Sequence, residues 1–471
     1  MNRMFHWRKF SLLAGLALTA TLILGGCGTD SYEEPKSGVI SNAALPDHAT
    51  NALIEPETLL EWMEAGLVNS TDSFQTGNVV ILDYGSSNTY LPVPGAGRVA
   101  TAELAATRLE GIAETGTMVP TGAMMDSVIQ RLGIDDNTTI VFTSDTPFYA
   151  TRAYYIFRYW GFPKEKLKVL NGGNKIWNDV INDPALMTNV KVNPTPATSN
   201  YSVRDNGILR DDLRMSIGEM ITEVVPALEQ GTMSHLDALG PAHAEGTGST
   251  TDLIDPTKYV VFEGRIKGSA PLNQGDLYAA STPSRFKPAA DIRVLFEKAG
   301  WQMGQPTTVA CRAGVSCTTL FFALDAILNS PVYSYDGSWG QWGLYSNSVD
   351  TNGSKIPSTL TEKLALWATD QYTISGTVAR DADGYVVKEN LQLGNLPVYN
   401  VGRTLPVSGV STTLTKIHIA PLRIDTTALY GTEGPADPRA NQIENADRKY
   451  MTAPPAGGAP GANTGSAGGG C

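Results

Sequence analysis

The sequence predicts an α/β protein in which one domain is present in two copies, followed by a small β-rich appendage. Three observations carry this. Short apolar runs suited to buried strands alternate with amphipathic stretches of helical spacing, the pattern of a parallel sheet covered by helices on both faces. Four segments of the first half recur in the same order in the second. Leu82-Asp83 echoes Leu236-Asp237, and Gly97-Arg98-Val99 echoes Gly264-Arg265-Ile266. Thr138-Thr139-Ile140-Val141 echoes Thr307-Thr308-Val309-Ala310, and Asn171-Gly172-Gly173 with Trp177 echoes Asp336-Gly337-Ser338 with Trp342. Finally, 471 residues with 42 % hydrophobic content suffice for two or three domains with real cores.

The chain starts with a short basic region (Arg3, Arg8, Lys9) and an apolar run from Leu12 to Leu24. That run is too short for a membrane span and closes in small residues, so residues 1–26 read as a signal peptide. Its ending, Leu24-Gly25-Gly26-Cys27, resembles a bacterial lipobox, which implies cleavage before Cys27 and lipid attachment to its sulfur. The competing reading is an ordinary secretory signal with an incidental cysteine. Gly28 rather than Asp follows, which favours the outer membrane of the cell envelope. Several acyl chains on one residue make a durable anchor. Residues 27–52 are polar and Gly/Pro/Ser-bearing, a tether.

The first domain is expected over residues 53–183. A helix is predicted over 57–65 behind Pro56. Strands are predicted at 78–83, 138–142 and 168–170, and an aromatic-rich helix over 150–160. Arg152 and Arg158 on that helix could face a cleft between the copies, but an exposed or capping role, the usual place for arginine, is expected. Residues 184–212 read as a linker over the surface. The second domain is expected over 213–350; Ser216-Ile217-Gly218-Glu219 is a capping box that starts its first helix. The Gly246–Thr251 loop is a plausible lip of a site. Residues 351–451 show alternating patches that suggest short strands. Asp381-Ala382-Asp383-Gly384 lacks the closing Glu of a calcium loop and reads as a hairpin turn. Residues 452–471 are Pro, Gly, Ala and Ser, ending in Cys471, and are expected to be disordered.

The chemistry concentrates between the predicted strand at 307–310 and the helical pattern from Thr318 onward. There Cys311-Arg312-Ala313-Gly314-Val315-Ser316-Cys317 forms a strand–loop–helix turn. Such a turn points backbone N–H groups into one concavity, and the helix N-terminus adds partial positive charge. A thiol there loses its proton readily and becomes nucleophilic. Spacing excludes rivals. A cysteine-phosphatase loop needs Arg six residues after its Cys, where this chain has Cys317. No Cys-x-x-Cys pair or Cys-x-x-Cys-His motif exists for thioredoxin or covalent haem chemistry. The five histidines (His6, His48, His235, His243, His418) lack zinc-ligand spacing, so no metal is expected. The formal charge of −12, with no basic stripe, argues against nucleic-acid binding.

The Cys311–Ser316 loop resembles the active-site loop of rhodanese-family sulfurtransferases. Tyr335-Asp336-Gly337-Ser338-Trp339-Gly340-Gln341-Trp342, Gly264-Arg265-Ile266-Lys267-Gly268-Ser269-Ala270 and Leu236-Asp237-Ala238 resemble three further motifs of the family, in the family's order. The resemblance implies two tandem rhodanese-like domains, the first non-catalytic because it contains no cysteine. It implies sulfur transfer through a persulfide on Cys311, with no cofactor, a small sulfur donor such as thiosulfate, and a thiol or cyanide acceptor. Backbone N–H groups of Arg312, Ala313, Gly314, Val315 and Ser316 would hold the persulfide, Arg312 the anionic donor, and Arg265 would add charge if it faces the site. Asp237 and Cys317 are expected to be structural supports, although Cys317 can also be read as a resolving thiol. Family members often carry Lys where this chain has Ala313 and Arg where it has Leu239, so thiosulfate is expected to bind weakly. Two other classes stay open. One is a lipoprotein using the fold as a binding or assembly module in an outer-membrane electron-transfer or secretion complex. The other is a redox sensor built on Cys311 and Cys317.

Overall fold

The computed structural model describes residues 52–70, 78–240 (apart from 112, 192 and 194–197), 265–350 (apart from 267, 283 and 347), several short strands between 369 and 424, and 441–453. All lie in one compact unit, Val39–Cys471. The signal, the lipobox with Cys27, the Gly246–Thr251 loop, the turn at 381–384 and Cys471 fall outside the described residues.

The first domain opens with β1 (Leu53–Ile54) and α1 (Pro56–Glu64), whose first turn holds Pro56 and Glu57. Proline at a helix start loses no hydrogen bond, and an acid there suits the dipole. Strands β2 (Asn78–Tyr84), β3 (Gly97–Val99), β6 (Thr138–Thr143) and β7 (Leu167–Leu170) join β1 in a five-stranded sheet, order β1-β7-β6-β2-β3. Every pairing in it is parallel. Alternate residues of β2 serve opposite cores: Val80, Leu82 and Tyr84 on one side, Val79 and Ile81 on the other with Trp62 of α1 and Trp177. The first side packs on α2 (Gly122–Arg131) and α3 (Pro147–Tyr159). Between β3 and α2, strands β4 (Ala106–Glu110) and β5 (Ala113–Met118) form an antiparallel hairpin.

The second domain repeats the plan. Its sheet contains β8 (Arg214–Met215), β9 (Ser234–Asp237), β11 (Ala270–Pro271), β12 (Thr307–Ala310) and β13 (Val332–Tyr335), order β11-β9-β12-β13-β8, again all parallel. Strand β10 (Arg265–Ile266) stands apart and pairs with Thr369–Asp370 of the extension. The capping box forms as expected: the Ser216 hydroxyl accepts from Glu219 N–H, and Glu219 accepts from Ser216 N–H.

Register corrects one sequence echo. Gly97 and Arg98 lie opposite Leu82 and Asp83, while Ala270 and Pro271 lie opposite Leu236 and Asp237. The strand equivalent to Gly97-Arg98 is therefore Ala270-Pro271, not Gly264-Arg265. The left-handed glycines Gly95 and Gly268, each two residues before its strand, confirm this alignment.

The two copies share one hydrophobic core. Helix α3 meets α4 (Thr318–Phe322), the matching helix of the second copy. Tyr154 packs edge-on to Phe322 and Tyr155 to Phe321, each pair at 4.9 Å between ring centroids. Each such fully buried aromatic contributes about 1.5–3 kcal/mol. Arg158 is buried here and paired with Asp325 across the interface at 3.1 Å, not exposed as the sequence reading held.

The extension is β-rich in part, with Val386–Gln392 pairing antiparallel to both Ala379–Arg380 and Thr413–Ile419. Ala379 pairs with Val387 and Arg380 with Val386. Its last segment departs from expectation: α5 (Gln442–Thr452) is a helix docked on the core. Ile443 fills the shared hydrophobic cluster, and Asp447 accepts from Arg108 at 2.7 Å and from the Tyr159 hydroxyl at 2.8 Å. One apolar and two acidic buried residues in eleven give α5 too weak an apolar stripe to be read as a packed helix.

Candidate active site

Cys311 follows the last residue of β12, whose partner across the sheet is Asp237. Its thiol is 2 % exposed. The carbonyl of Cys311 accepts from Trp339 N–H at 3.0 Å and that of Arg312 from Gly340 N–H at 2.8 Å. The Cys311 N–H donates to the Ser338 hydroxyl at 3.1 Å, which donates to the Tyr335 carbonyl at 2.9 Å. The loop is thus stitched to the Tyr335–Trp342 motif on three backbone groups.

Around the sulfur the loop forms a cup. Burial pushes the Cys311 thiol up, but four hydrogen bonds outweigh it and hold it well below the usual thiol value. They come from the Cys317 S–H, the Ser316 hydroxyl, and the N–H groups of Cys317 and Ala313. Donors to the charged form favour it. Burial, then donation to Cys311 and repulsion by its charge, push the Cys317 thiol well above the ordinary value. Of the N–H groups expected over Arg312 to Ser316, that of Ala313 reaches the sulfur, and Cys317 supplies the other.

Gly314 bends the loop at φ +73°. A Cβ there would lie 2.2 Å from the Asp336 carbonyl oxygen, so both conformation and space demand glycine. The Val315 carbonyl accepts from the Thr318 N–H at 3.1 Å and from its hydroxyl at 2.6 Å, closing the loop into α4. Asp237 caps its own turn, accepting from Leu239 N–H at 2.8 Å. Arg265 sits half-buried on β10.

The first domain holds this loop from outside. Arg152, 1 % exposed on α3, donates to the Gly314 carbonyl at 2.9 Å, to Asp336 at 2.7 Å and to the Thr117 carbonyl at 2.7 Å. The expectation of an exposed or capping Arg152 is therefore corrected. Thr117, at the end of β5, donates its hydroxyl to the Ala313 carbonyl at 2.7 Å. Asp336 also accepts from Arg214 at 3.4 Å and from Val119 N–H at 2.7 Å. Burial would raise this carboxyl; Arg152 and Arg214 outweigh it and hold it below the usual range. Arg214 further binds Glu110 of the hairpin and Glu444 of α5, each at 2.7 Å. One buried ionic web thus ties both domains, the hairpin and the C-terminal helix to the back of the cysteine loop.

Sequence reasoning missed Arg152, Thr117, Ser338 and Glu444 as parts of this site. A signal existed for Arg152. The segment 147–160 is apolar or aromatic almost all round, so its arginines have no exposed face and must be paired inside.

In the first copy the place of Cys311 falls to Ser144, because Thr143 pairs with Asp83 as Ala310 pairs with Asp237. The Ser144 carbonyl accepts from Asn174 N–H at 3.1 Å, matching the Trp339 bond to Cys311. A hydroxyl there cannot carry a persulfide. Among the described residues no group of His, Cys, Asp and Glu could hold a metal ion. No described helix is long and apolar enough to cross a membrane.

A duplicated parallel α/β domain, with a cysteine loop in the second copy and Ser144 at the same place in the first, is the arrangement of the rhodanese fold. Comparison with known proteins found distant similarities. No protein-family model matches the chain. The sulfur carrier protein TtuD of Thermus thermophilus is 29 % identical over 221 residues, 46 % of this chain and 72 % of that protein. Thiosulfate sulfurtransferase of Mus musculus is 25 % identical over 229 residues, 48 % of this chain and 69 % of that protein. The crystal structure of Tum1 protein from Saccharomyces cerevisiae matches with a TM-score of 0.47 at 18 % identity, over 64 % of this chain and 96 % of that one. The chain is a distant relative of the rhodanese-type sulfurtransferases.

Proposed function

We propose that the protein is an envelope-anchored sulfurtransferase that moves sulfane sulfur from a donor such as thiosulfate to a thiol or cyanide acceptor through a persulfide on Cys311. The observation that carries this is the four-donor cup around the Cys311 sulfur. The Cys311 thiolate attacks the outer sulfur of thiosulfate, the donor S–S bond breaks, and sulfite leaves with the electron pair. Cyanide or a thiolate then attacks the outer persulfide sulfur and returns the electron pair to Cys311. The cup that stabilises the thiolate serves the persulfide anion as well, in the manner of an oxyanion hole. Arg312 supplies positive charge for the donor.

Thiosulfate is a dianion, and a partly desolvated site must pair both charges. Ala313 and Leu239 stand where relatives often place cations, and each missing charge-assisted bond costs about 1.5–3 kcal/mol. Turnover with thiosulfate is therefore expected to be weak and salt-sensitive, and Ala313→Lys to strengthen it. The test is sulfur loading. A sulfane donor adds one sulfur to the Cys311 peptide, and Cys311→Ser abolishes turnover; undiminished turnover in that variant would sink the mechanism. Anchoring is tested by fatty-acid labelling, which Cys27→Ala should remove together with membrane association. Label that persists in the variant rejects the lipobox.

A second reading has one observation in its favour, the near-complete burial of Cys311. On it the protein is a binding or assembly module of an outer-membrane electron-transfer or secretion complex. A chain that never accepts sulfur from thiosulfate, mercaptopyruvate or polysulfide would fit that reading.

A further inference from the structure

Cys317 is more than a filler of the core. It is fully buried and free, six residues beyond another free, buried cysteine in the same loop. Its backbone N–H and its S–H both reach the Cys311 sulfur. A thiol kept for its volume has no need of an acceptor; this one is aimed at the nucleophile. It also stands at the head of α4, with its carbonyl fixed by Phe321 N–H at 3.0 Å, so its backbone position is set. The intervening backbone turns at Gly314, whose φ is +73°.

We propose that Cys317 is a resolving thiol that converts sulfane sulfur into hydrosulfide when no external acceptor is present. The step rests on the persulfide reading of Cys311. The sulfur of Cys317 attacks Sγ of Cys311, and the bond between Sγ and the outer sulfur breaks. The outer sulfur leaves with the electron pair and takes the Cys317 proton. The balance is persulfide anion plus thiol giving disulfide plus hydrosulfide. An external dithiol then reduces the Cys311–Cys317 disulfide and is itself oxidised to a disulfide. Attack of this kind needs a sulfur nucleophile in reach of the inner sulfur and a stabilised leaving group. Cys317 provides the first. The Ser316 hydroxyl and the Ala313 N–H, already directed at this sulfur site, provide the second. The substrate class is therefore persulfides and polysulfides, and the co-reactant a dithiol reductant. Persulfide has two fates in this loop: transfer when an acceptor is present, and internal release when it is absent.

The test loads the full-length, fully reduced protein with less than one equivalent of inorganic polysulfide and no added thiol. Released sulfide is measured, and peptides are mapped by mass spectrometry without reduction. The expected result for the natural chain is sulfide release together with a Cys311–Cys317 link lighter by two hydrogens. Cys317→Ser should hold the sulfur on Cys311 and, beyond the sulfide that the polysulfide itself gives up in loading, release at least tenfold less. A dithiol should return the natural chain to its starting mass and permit a second round. A stable Cys311 persulfide in the natural chain, equal to that in Cys317→Ser, overturns the proposal. So does sulfur lodged on Cys317 without sulfide release, which would mean attack on the outer atom. If neither protein gains sulfur, the sulfurtransferase reading falls and this step with it; if Cys317→Ser gains sulfur and the natural chain releases none, this step alone falls.

Discussion

Replacing Arg152 by Met tests whether the silent domain sets the geometry of the active loop. The variant keeps the buried stem and removes the guanidinium. Three bonds vanish, to the Gly314 carbonyl at 2.9 Å, the Thr117 carbonyl at 2.7 Å and Asp336 at 2.7 Å. Removing one partner of a buried ion pair costs about 3–5 kcal/mol, because the other charge is stranded. Asp336 keeps Arg214 at 3.4 Å and Val119 N–H at 2.7 Å, so the low end, about 3 kcal/mol, is expected. Activity should fall as well, because the loop loses the brace on its Gly314 carbonyl and the donors around the sulfur lose their fixed positions. A loss of about 1.4 kcal/mol in the transition state is tenfold in rate. Sulfur loading at least tenfold slower is therefore expected, alongside the stability loss in urea unfolding. Arg152→Lys keeps the charge without the fork and should fall between. A cycle with Asp336→Asn should give a coupling of at least about 1 kcal/mol. Loading within twofold of the natural chain, with stability changed by less than about 0.5 kcal/mol, would refute the tie between the domains.

Four further outcomes follow. Gly314→Ala places Cβ against the Asp336 carbonyl at φ +73°; it should abolish sulfur loading and cost about 2 kcal/mol or more, as read by urea unfolding. Glu444→Gln leaves Arg214 with Glu110 and Asp336 and should cost about 1–3 kcal/mol; proteolysis should then cut near α5 sooner, and unchanged proteolysis would deny α5 its role as a strap. Iodoacetamide alkylation of Cys311 should reach its plateau well below pH 9, and losing the S–H donor in Cys317→Ala should move that midpoint up; a rate still climbing through pH 9 contradicts the four-donor cup. His235 is buried against Thr308 and pushed down to about 3, so it stays neutral in the fold. Below about pH 6.5 the unfolded chain binds a proton that the folded chain refuses, so stability is lost as pH falls from there toward about 3. Between pH 7 and pH 5 this amounts to about 2 kcal/mol, which should vanish in His235→Gln.

What the sequence made legible was local. The strand–loop–helix at 307–322 rests on apolar runs and one left-handed glycine, and the structure places it as read. The duplication was legible because both copies need the same buried strands. It failed at Gly97-Arg98-Val99, where three matching letters outweighed the register. The glycine shared by the two copies is Gly95 with Gly268, the one position in each segment whose backbone turns left-handed before its strand. An echo of glycine by conformation was the better guide than an echo of glycine by neighbours.

What stayed hidden was long-range pairing. The residues that brace the cysteine loop come from four places in the chain, Glu110 and Thr117, Arg152, Arg214, and Glu444, and no spacing rule connects them. Each taken alone reads as a surface charge or a turn residue. The four charged ones are buried and demand partners, and together with half-buried Thr117 they converge on Asp336 and the carbonyls of Ala313 and Gly314. Duplication explains why this arrangement is available. With Ser144 at the place of Cys311, the first copy carries a hydroxyl where the second carries a thiol. Its helix α3 and its hairpin hold the Gly314 and Ala313 carbonyls of the second copy's loop instead, and the loop so braced keeps its donors in place around one sulfur.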